Sequence, residues 1–230
     1  MLKIDERNLP VLNMGDSDRA RVGDVVLAIG NPLGLEQTVT AGIISAKGRS
    51  TGLSDGSFED FLQTDAPINQ GNSGGALVSA TGELIGINSQ ILSPTGGNIG
   101  IGFAIPVNMA KNVMDQIIRS GTVRRGSLGV TIQALTPETV SKLGLQTARG
   151  ALVSTVVSGG PAERAGVRAG DVITAFNGAA VADPNALRNA VARTAPGTDA
   201  SLTVWRNGRD EQLRVRLGEL NIQARAQPSE

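Results

Sequence analysis

The sequence predicts a mainly β protein that continues into a second, α+β unit, and three observations support this prediction. The 230 residues suffice for one or two domains, and 40 % of them are apolar, which is enough to build cores. The chain has 30 glycines and only 2 % aromatic residues, a composition that favours short strands and tight turns over helical bundles. The apolar pattern changes to helical spacing near residue 107, which divides the chain in two.

The first part, up to about residue 106, contains four short runs rich in β-branched residues. Each run is bounded by glycine, proline, asparagine or aspartate, as is typical of strands. Thr81 and Gly82 interrupt the third run and predict a hairpin tip. The four runs lie at residues 24–30, 37–48, 74–91 and 98–106.

The helical pattern at residues 107–121 places six apolar residues on one face and ends at Gly121, a typical helix stop. We expect this helix to pack on its own domain. The polar, glycine-bearing segment that follows predicts a linker. The chain is therefore divided into a first domain at residues 1–120, a linker at 121–127, a second domain at 128–220 and a polar tail at 221–230.

The second domain combines strands with two helices. Thr136 and Asp183 each precede a proline and are predicted as helix N-caps. The pairs Asn177-Gly178 and Asn207-Gly208 lie between apolar runs and predict tight hairpin turns. These signals predict an α+β domain of about 95 residues.

Composition excludes several classes of function. The 21 basic and 21 acidic residues balance without runs of one sign, so we expect no nucleic-acid partner. The chain has no cysteine and no histidine, and no acidic spacing suits an all-oxygen metal site, so neither metal nor cofactor is predicted. No apolar run approaches the ~18 residues of a membrane span.

The stretch INQGNSGGAL at residues 68–77 contains the most suggestive side chain, Ser73. Acyl transfer needs a positioned hydroxyl, a base, and donors aimed at the developing oxyanion. The neighbouring glycines permit positive-φ turns that point consecutive N–H groups inward. The N–H groups of Gly71 and Ser73 are therefore candidate donors, although the chain has no histidine to act as the base.

Two other interpretations of this stretch exist. The string GNSGG also matches the nucleophile elbow of α/β-hydrolases, which must lie between a strand and a helix. The following residues predict a strand and a hairpin, so we reject that interpretation. A simple Gly/Asn/Ser turn without chemistry stays open on the residues alone.

Further strings occur in order along the chain: VGDVVLAIGNPLG at residues 22–34, TVTAGIIS at 38–45, FLQTDAPINQGNSGGALV at 61–78, GELIGIN at 82–88, GIGFAIP at 100–106, RRGSLGV at 124–130 and GPAERAGVRAGDVITAFNG at 160–178. Together they resemble the HtrA (Deg) family of serine proteases. The resemblance covers nearly the whole chain. It implies the second β-barrel of a trypsin-like (chymotrypsin-fold) protease domain, followed by an α+β PDZ domain.

In that family the histidine and aspartate of the catalytic triad precede the segment that residues 2–4 resemble. The resemblance therefore implies that this chain lacks both residues, together with the N-terminal β-barrel. Because loss of one triad member leaves only residual catalysis, we expect the chain alone to be nearly inactive.

Carried over residue by residue, the resemblance implies that Ser73 is the nucleophile and that Gly71 and Ser73 supply the oxyanion-hole N–H groups. The implied substrate-binding residues are a strand that pairs with the substrate backbone and the lining of a small apolar S1 pocket: Ile87, Asn88 and Ser89 for the strand, Ile68 and Leu92 for the pocket.

Three nearby residues refine this comparison. Gln90 departs from the small residue common in the family, which affects the expected pocket shape. Asn72 replaces the aspartate that digestive proteases use for zymogen activation, so such activation is not expected. Pro67 occupies the position where trypsin carries its selecting acid, so we expect an aliphatic rather than a basic P1 preference.

In the PDZ part, the string SLGV matches the family's carboxylate-binding loop, which implies peptide-binding roles for Ser127, Leu128, Gly129 and Val130. PDZ domains bind C-terminal peptides as an added strand. Leu187 and Val191 are expected to face the peptide from the opposite helix. The alternative is that these two are ordinary core residues at i, i+4 spacing.

The resemblance implies a PDZ-regulated serine endopeptidase of envelope protein quality control or stress signalling, acting on polypeptides in the periplasm. A single PDZ domain resembles the membrane-anchored, DegS-like branch, and the full-length protein is expected to be a homotrimer. The alternative is a catalytically dead pseudo-protease that acts as a PDZ peptide-binding module.

Overall fold

The computed structural model describes residues 4–31, 37–52, 58–93 and 97–220. It separates into two compact units, Met1–Val123 and Arg124–Glu230. The predicted linker at residues 121–127 straddles this division, and the predicted tail at 221–230 lies outside the described residues. The mainly β prediction is confirmed.

The first unit is a closed antiparallel barrel of six strands in the order β1-β2-β3-β6-β5-β4. The four predicted runs are confirmed as strands, and the third forms a hairpin. No strand was predicted at β3, which has only four residues and lacks an alternating β-branched pattern. The strands are β1 (Val25–Gly30), β2 (Thr38–Arg49), β3 (Phe61–Thr64), β4 (Ala76–Ser79), β5 (Leu84–Ile91) and β6 (Gly102–Pro106).

Inward-facing aliphatic side chains fill the barrel. Alternation along β1 buries Val26 and Ala28 completely while Val25 is 53 % exposed, as expected for a strand with one face in a core. The other strands contribute the remaining core members, which include Ile44, Leu62 and Leu77. The apolar interior stabilises the frame from which the loops project.

The predicted amphipathic helix is α1 (Val107–Ser120), which packs against β5 and β6 of its own barrel. Gly121 ends it in the left-handed conformation at φ 71°, and its N–H donates to the carbonyl of Ile117. Both predictions, the helix and its glycine stop, are confirmed.

The second unit is built on an antiparallel sheet in the order β13-β12-β10-β9-β8, with β11 beside β10. A separate pair, β7 with β14, joins the start of the unit to its end. β8 lies at one edge of the main sheet. The strands are β7 (Gly126–Ser127), β8 (Val130–Gln133), β9 (Ala151–Val156), β10 (Val172–Phe176), β11 (Ala179–Ala180), β12 (Asp199–Arg206), β13 (Arg209–Arg216) and β14 (Gly218–Glu219), and the helices are α2 (Pro137–Lys142), α3 (Pro161–Arg164) and α4 (Pro184–Arg193).

The local signals of the second unit are confirmed. Thr136 accepts from the Thr139 N–H at 3.2 Å and caps α2. Asp183 caps α4 in the same way, accepting from the Ala186 N–H at 2.8 Å. Asn177 and Asn207 have positive φ values of 49° and 50°, each followed by a glycine with positive φ, as mirror-image hairpin turns require.

Two side chains from β12 tie the sheet to neighbouring segments. Trp205 donates its indole N–H to the carbonyl of Leu143 at 2.9 Å. The Arg206 guanidinium makes a bidentate contact with Asp171, with both distances 2.7 Å, and also contacts Glu211. The hydrogen bond to Asp171 raises the pKa of Arg206, so the guanidinium stays charged at neutral pH.

Within the described ranges, no helix is both long and apolar enough to cross a membrane.

Candidate active site

The segment between β3 and β4 makes two tight turns around Ser73. The Asn72 N–H donates to the carbonyl of Asn69 at 3.0 Å, and the Gly75 N–H donates to the carbonyl of Asn72 at 2.9 Å. Gly71 and Gly74 have φ values of 103° and 85°. Only glycine adopts such values readily, so the glycines on either side of Ser73 permit the turns.

This loop packs closely against the end of β1. Asn72 is 2 % exposed, and a Cβ on Gly30 would lie 2.7 Å from its Cα. A Cβ on Gly75 would lie 2.1 Å from the carbonyl oxygen of Ile29. Neither position leaves room for a side chain, because the opposing atoms belong to the backbone. The loop is therefore held against the barrel.

Strand β5 holds the other side of the loop. The Gly74 N–H donates to the Asn88 carbonyl at 2.8 Å, and the Asn88 N–H donates to the Gly75 carbonyl at 2.9 Å. The buried Asn88 amide also donates to the Ile29 and Ala76 carbonyls, at 3.2 and 3.1 Å. Asn88 thus joins β1, β4 and β5 directly behind the nucleophile loop.

Ser73 is exposed, and its hydroxyl donates to the carbonyl oxygen of Ser89 at 2.7 Å. Ser89 is the extra residue of a β-bulge, because the register between β5 and β6 shifts between Asn88 and Gln90. A bulged residue leaves the ladder and can aim its groups elsewhere. This carbonyl was not identified from the sequence, since no pattern of residue types signals this bulge.

The N–H groups of Gly71 and Ser73 are the expected oxyanion donors. None of the hydrogen bonds recorded for the described part of the chain uses the N–H of Gly71 or of Ser73. Unengaged backbone N–H groups are the kind of donor that can bind a developing oxyanion.

Two acids of the barrel, Asp65 and Asp24, accept hydrogen bonds from backbone N–H groups. The Asp65 carboxylate accepts from the Ile43 N–H at 2.7 Å, and Asp24 accepts from the Arg21 N–H at 2.8 Å. Among the residues that the structure describes, no cluster of acids suits a metal ion. The arrangement supplies an exposed serine hydroxyl and unengaged N–H groups, and the sequence has no histidine to pair with them.

The five predicted substrate-binding residues occupy different environments. Ile87 and Asn88 have backbone partners on both sides, whereas Ser89 lies in the bulge. Ile68 is 1 % exposed in the barrel core, and Leu92 is 44 % exposed. Ile91 packs against the cluster that contains Ile68, and the sequence analysis did not name it.

Asn98 connects two loops of the site, a contact that sequence reasoning also missed. Its side-chain amide donates to the Ile68 carbonyl at 2.9 Å, and its backbone N–H donates to the Asn69 side chain at 3.2 Å. The segment that follows β5 is thereby tied to the segment that precedes Ser73.

The predicted peptide-binding loop of the second unit leads into the edge strand β8. Leu128 is buried, and its carbonyl accepts from the Ala162 N–H at 2.9 Å. Gly129 has φ 72°, and its N–H donates to the Ser127 hydroxyl at 3.2 Å. Within the described residues, no recorded hydrogen bond uses the Leu128 N–H. Val130 begins the strand.

The helix residues expected to face a peptide lie in the core of the unit. Leu187 is 1 % and Val191 is 6 % exposed, and both belong to its central apolar cluster. Val130 and Ile132 of β8 are only partly buried against that cluster. The β8 residues are therefore the more accessible apolar side chains.

Comparison with known proteins links both units to described families. Residues 1–87 match the model of the trypsin-like peptidase domain, and residues 126–217 match the model of the PDZ domain. The chain is 49 % identical over 226 residues to a probable periplasmic serine endoprotease, DegP-like, of Rhizobium meliloti, and 50 % identical over 220 residues to the protein of that name from Chlamydia muridarum. These matches cover 98 % and 96 % of the chain and 44 % of each relative. The chain thus spans less than half the length of these relatives.

Solved structures show the same similarity. The HtrA-type protease AlgW with a tripeptide is 52 % identical, with a TM-score of 0.79, and the match covers 95 % of this chain and 72 % of that one. A serine endoprotease from Yersinia pestis is 43 % identical, with a TM-score of 0.61 and coverage of 95 % and 70 %.

Proposed function

Because this chain belongs to the HtrA family of serine endoproteases, we propose that it contains the nucleophile and oxyanion hole of an endopeptidase active site, coupled to a peptide-binding PDZ domain. The observation that carries the proposal is the Ser73 loop. Its hydroxyl is exposed and oriented by the Ser89 carbonyl, and the N–H groups of Gly71 and Ser73 are unengaged.

The proposed reaction is acyl transfer. The Ser73 oxygen attacks the carbonyl carbon of a peptide bond, and the hydroxyl proton passes to a base. The oxyanion that forms receives hydrogen bonds from the N–H groups of Gly71 and Ser73. Collapse expels the amine, which takes up the proton, and leaves an acyl-enzyme that water hydrolyses. The Ser89 carbonyl orients the hydroxyl but is too weak a base to accept its proton, so an imidazole from outside these 230 residues is required.

The proposed substrates are polypeptides with an aliphatic residue at the cleaved bond. Pro67 carries no charge, and its carbonyl is occupied by the Thr40 hydroxyl at 2.8 Å. A cationic P1 side chain would find no carboxylate at this position. The contributions of Ile68, Leu92 and the strand from Ile87 to Ser89 remain predictions.

We propose that the PDZ unit binds polypeptide C-termini by adding them to β8. An edge strand offers unpaired backbone groups, and the loop from Ser127 to Val130 leads directly into it. The unengaged Leu128 N–H is the proposed carboxylate donor. Leu187 and Val191 are buried, so they would support the peptide-binding groove from the core of the unit.

The relatives are named periplasmic serine endoproteases, and we propose the same compartment for this protein, with a role in envelope protein quality control or stress signalling. A membrane anchor and a homotrimeric assembly remain predictions for the full-length protein.

One observation favours a second candidate, a pseudo-protease that acts only as a peptide-binding module. The 230 residues contain no histidine, so the chain alone has no imidazole base. In this case the Ser73 loop would be a structural feature, and the PDZ unit would account for the function.

Titration of Ser73 with a fluorophosphonate probe distinguishes the two candidates. It would be run on this chain and on a version extended upstream by the codons of its gene, with Ser73→Ala as the background. Under the protease proposal, the extended protein is labelled rapidly and stoichiometrically at Ser73 and this chain only slowly. Background-level labelling of a folded extended protein would establish the binding module instead.

A further inference from the structure

The bulge at Ser89 raises the question of what holds this strand segment in place. In the ladder with β6, Asn88 pairs with Ala104 and Gln90 pairs with Phe103, so Ser89 has no partner there. A bulge locally disrupts the ladder and leaves the extra residue unpaired, so the pairing with β6 does not fix Ser89. The Ser89 carbonyl nevertheless lies 2.7 Å from the Ser73 hydroxyl oxygen.

Gln90, the residue after the bulge, is anchored from outside the ladder. Its side-chain amide nitrogen donates to the Thr51 hydroxyl oxygen at 3.2 Å. Thr51 lies 39 residues away, just after the end of β2. The contact therefore connects β5 to a different part of the barrel, directly beside the carbonyl that orients the nucleophile.

Thr51 is itself fixed by a buried carboxylate. Glu59 is 4 % exposed, and its oxygens accept from the Thr51 hydroxyl at 2.9 Å and from the Thr51 N–H at 2.6 Å. The same carboxylate accepts from the Ser50 hydroxyl at 2.8 Å and from the Gly52 N–H at 3.1 Å. Hydrogen bonds to a charged group are stronger than neutral ones, so Thr51 is a firm anchor.

The Glu59 carboxylate determines which group donates and which accepts in the hydrogen bonds that run from Gln90 through Thr51 to Glu59. A carboxylate only accepts, so the single Thr51 hydroxyl proton points to Glu59. The Thr51 oxygen is then left to accept, and Gln90 must present its NH₂ group. Each bond polarises the next toward the buried charge. A small residue at position 90 would not reach Thr51.

We propose that Gln90 is a positioning residue, which acts through Thr51 and Glu59 to hold the bulge and keep the Ser89 carbonyl aligned with the Ser73 hydroxyl. This proposal rests on the proposed function in so far as Ser73 is the nucleophile. The predicted effect on strand β5 does not depend on catalysis.

Amide hydrogen exchange in the 230-residue chain, followed residue by residue by NMR, tests the proposal. The reporter is the Gly74 N–H, which bonds to the Asn88 carbonyl next to the bulge. Thr51→Val removes the hydroxyl at constant shape, and Thr51→Ser keeps it. We expect about fivefold faster exchange at Gly74 in Thr51→Val, the equivalent of one ordinary hydrogen bond, and a wild-type rate in Thr51→Ser.

Gln90→Met keeps the length of the side chain and removes the donor. Its effect should not exceed that of Thr51→Val, which removes the bond from Gln90 together with the bond from the Thr51 hydroxyl to Glu59. The double variant should show no further increase over Thr51→Val, because the Gln90 bond is already broken there. The Ser79 N–H, which bonds to the Glu83 carbonyl at the far hairpin, is the internal control. Equal acceleration at Gly74 and Ser79 would indicate general destabilisation and overturn the proposal, as would an unchanged Gly74 rate in Thr51→Val. If Gln90→Met does not fold, the two Thr51 variants decide.

A second measurement uses the upstream-extended protein. There, Thr51→Val and Gln90→Met should lower kcat about fivefold with KM unchanged, and Thr51→Ser should restore kcat. Altered KM with unchanged kcat would overturn the positioning role. An extended protein that never labels at Ser73 would refute the proposed function, while the exchange data would still decide whether Gln90 holds the bulge.

Discussion

The two units of this chain differ in which backbone groups lie outside the hydrogen-bonded ladders of their sheets. The sheet of the first unit closes into a barrel, which removes its edges. Its unengaged donors therefore come from the glycine-rich loop at Gly71 and Ser73, and the bulge at Ser89 releases a carbonyl from the ladder to accept the Ser73 hydroxyl. The sheet of the second unit stays open, and its edge strand β8 is available as a whole.

This difference decides what each unit can do alone. Strand addition needs only an edge and a loop for the carboxylate, and both belong to one unit. Acyl transfer also needs a base at hydrogen-bonding distance from the nucleophile. In the proposed function the barrel supplies Ser73 and the N–H donors, and the chain has no histidine. Under the proposed function, one unit therefore has a complete binding site, and the other has part of a catalytic site.

The largest expected effect concerns catalysis. The purified 230-residue chain should hydrolyse unfolded casein no faster than its own Ser73→Ala variant, because loss of the base costs about 10⁴-fold or more. Release of acid-soluble fragments measures the rate. If this chain shows serine-dependent turnover at a rate near that of the upstream-extended protein, the catalytic site of the barrel is complete. The contrast between the two units would then be wrong.

The second effect concerns the free energy of unfolding of the PDZ unit. Arg206→Met should lower its free energy of unfolding by about 3–5 kcal/mol, because Asp171, 2 % exposed, would keep a buried charge without its partner. Trp205, the sole tryptophan, reports unfolding in urea by its fluorescence.

Arg209→Met is the matched control, since Arg209 also contacts Glu211 but is 76 % exposed. We expect a change within about 0.5 kcal/mol there. Similar losses in both variants would mean that burial of the Asp171 pair is not what stabilises this unit.

Features that depend on neighbouring residues were predictable from the sequence. The turns at Asn177 and Asn207 and the caps at Thr136 and Asp183 each rest on residue types within three positions of one another. The glycines around Ser73 were equally readable, because positive φ is a local requirement. These signals predicted the turns, the caps and the glycine-rich loop that carries Ser73.

Features that depend on distant contacts were not predictable. The bulge at Ser89 arises from the register between two strands, and Gln90 meets Thr51 across 39 residues. Periodicity identified the apolar face of α4 but not its neighbour, so the burial of Leu187 and Val191 in the core was left as one of two alternatives. The spacing of apolar residues identifies the apolar face of a helix, whereas tertiary packing determines which other residues cover that face.

The third effect concerns the peptide carboxylate. A peptide of about ten residues should bind this chain through its free C-terminus, and amidation of that terminus should weaken binding on the order of 10- to 100-fold, as expected for hydrogen bonds to a charge. Isothermal titration of both forms measures the ratio. Equal affinity would mean that the loop from Ser127 to Val130 does not hold a carboxylate, and the edge strand alone would then explain any binding.

The smallest effect concerns the ion pair that joins the two ends of the PDZ unit. Arg124 contacts Glu219 at 2.8 and 2.6 Å, and this hydrogen bond lowers the pKa of the Glu219 carboxyl. A carboxyl with a lowered pKa in the folded state contributes stability above its unfolded pKa and loses it as the pH falls through the folded value. Glu219→Gln should therefore lower the melting temperature slightly at pH 7 and have no effect at a pH below the folded pKa.

Because both side chains are about half exposed, salt should also reduce the difference at pH 7. Asp210→Asn, which removes an exposed carboxylate from β13, is the control for the change in net charge. If both variants show the same pH dependence, net charge rather than the Arg124 contact is responsible. In that case the backbone pairing of β7 with β14 would join the start of the PDZ unit to its end. The Arg124 and Glu219 side chains would then not be needed for the stability of this unit.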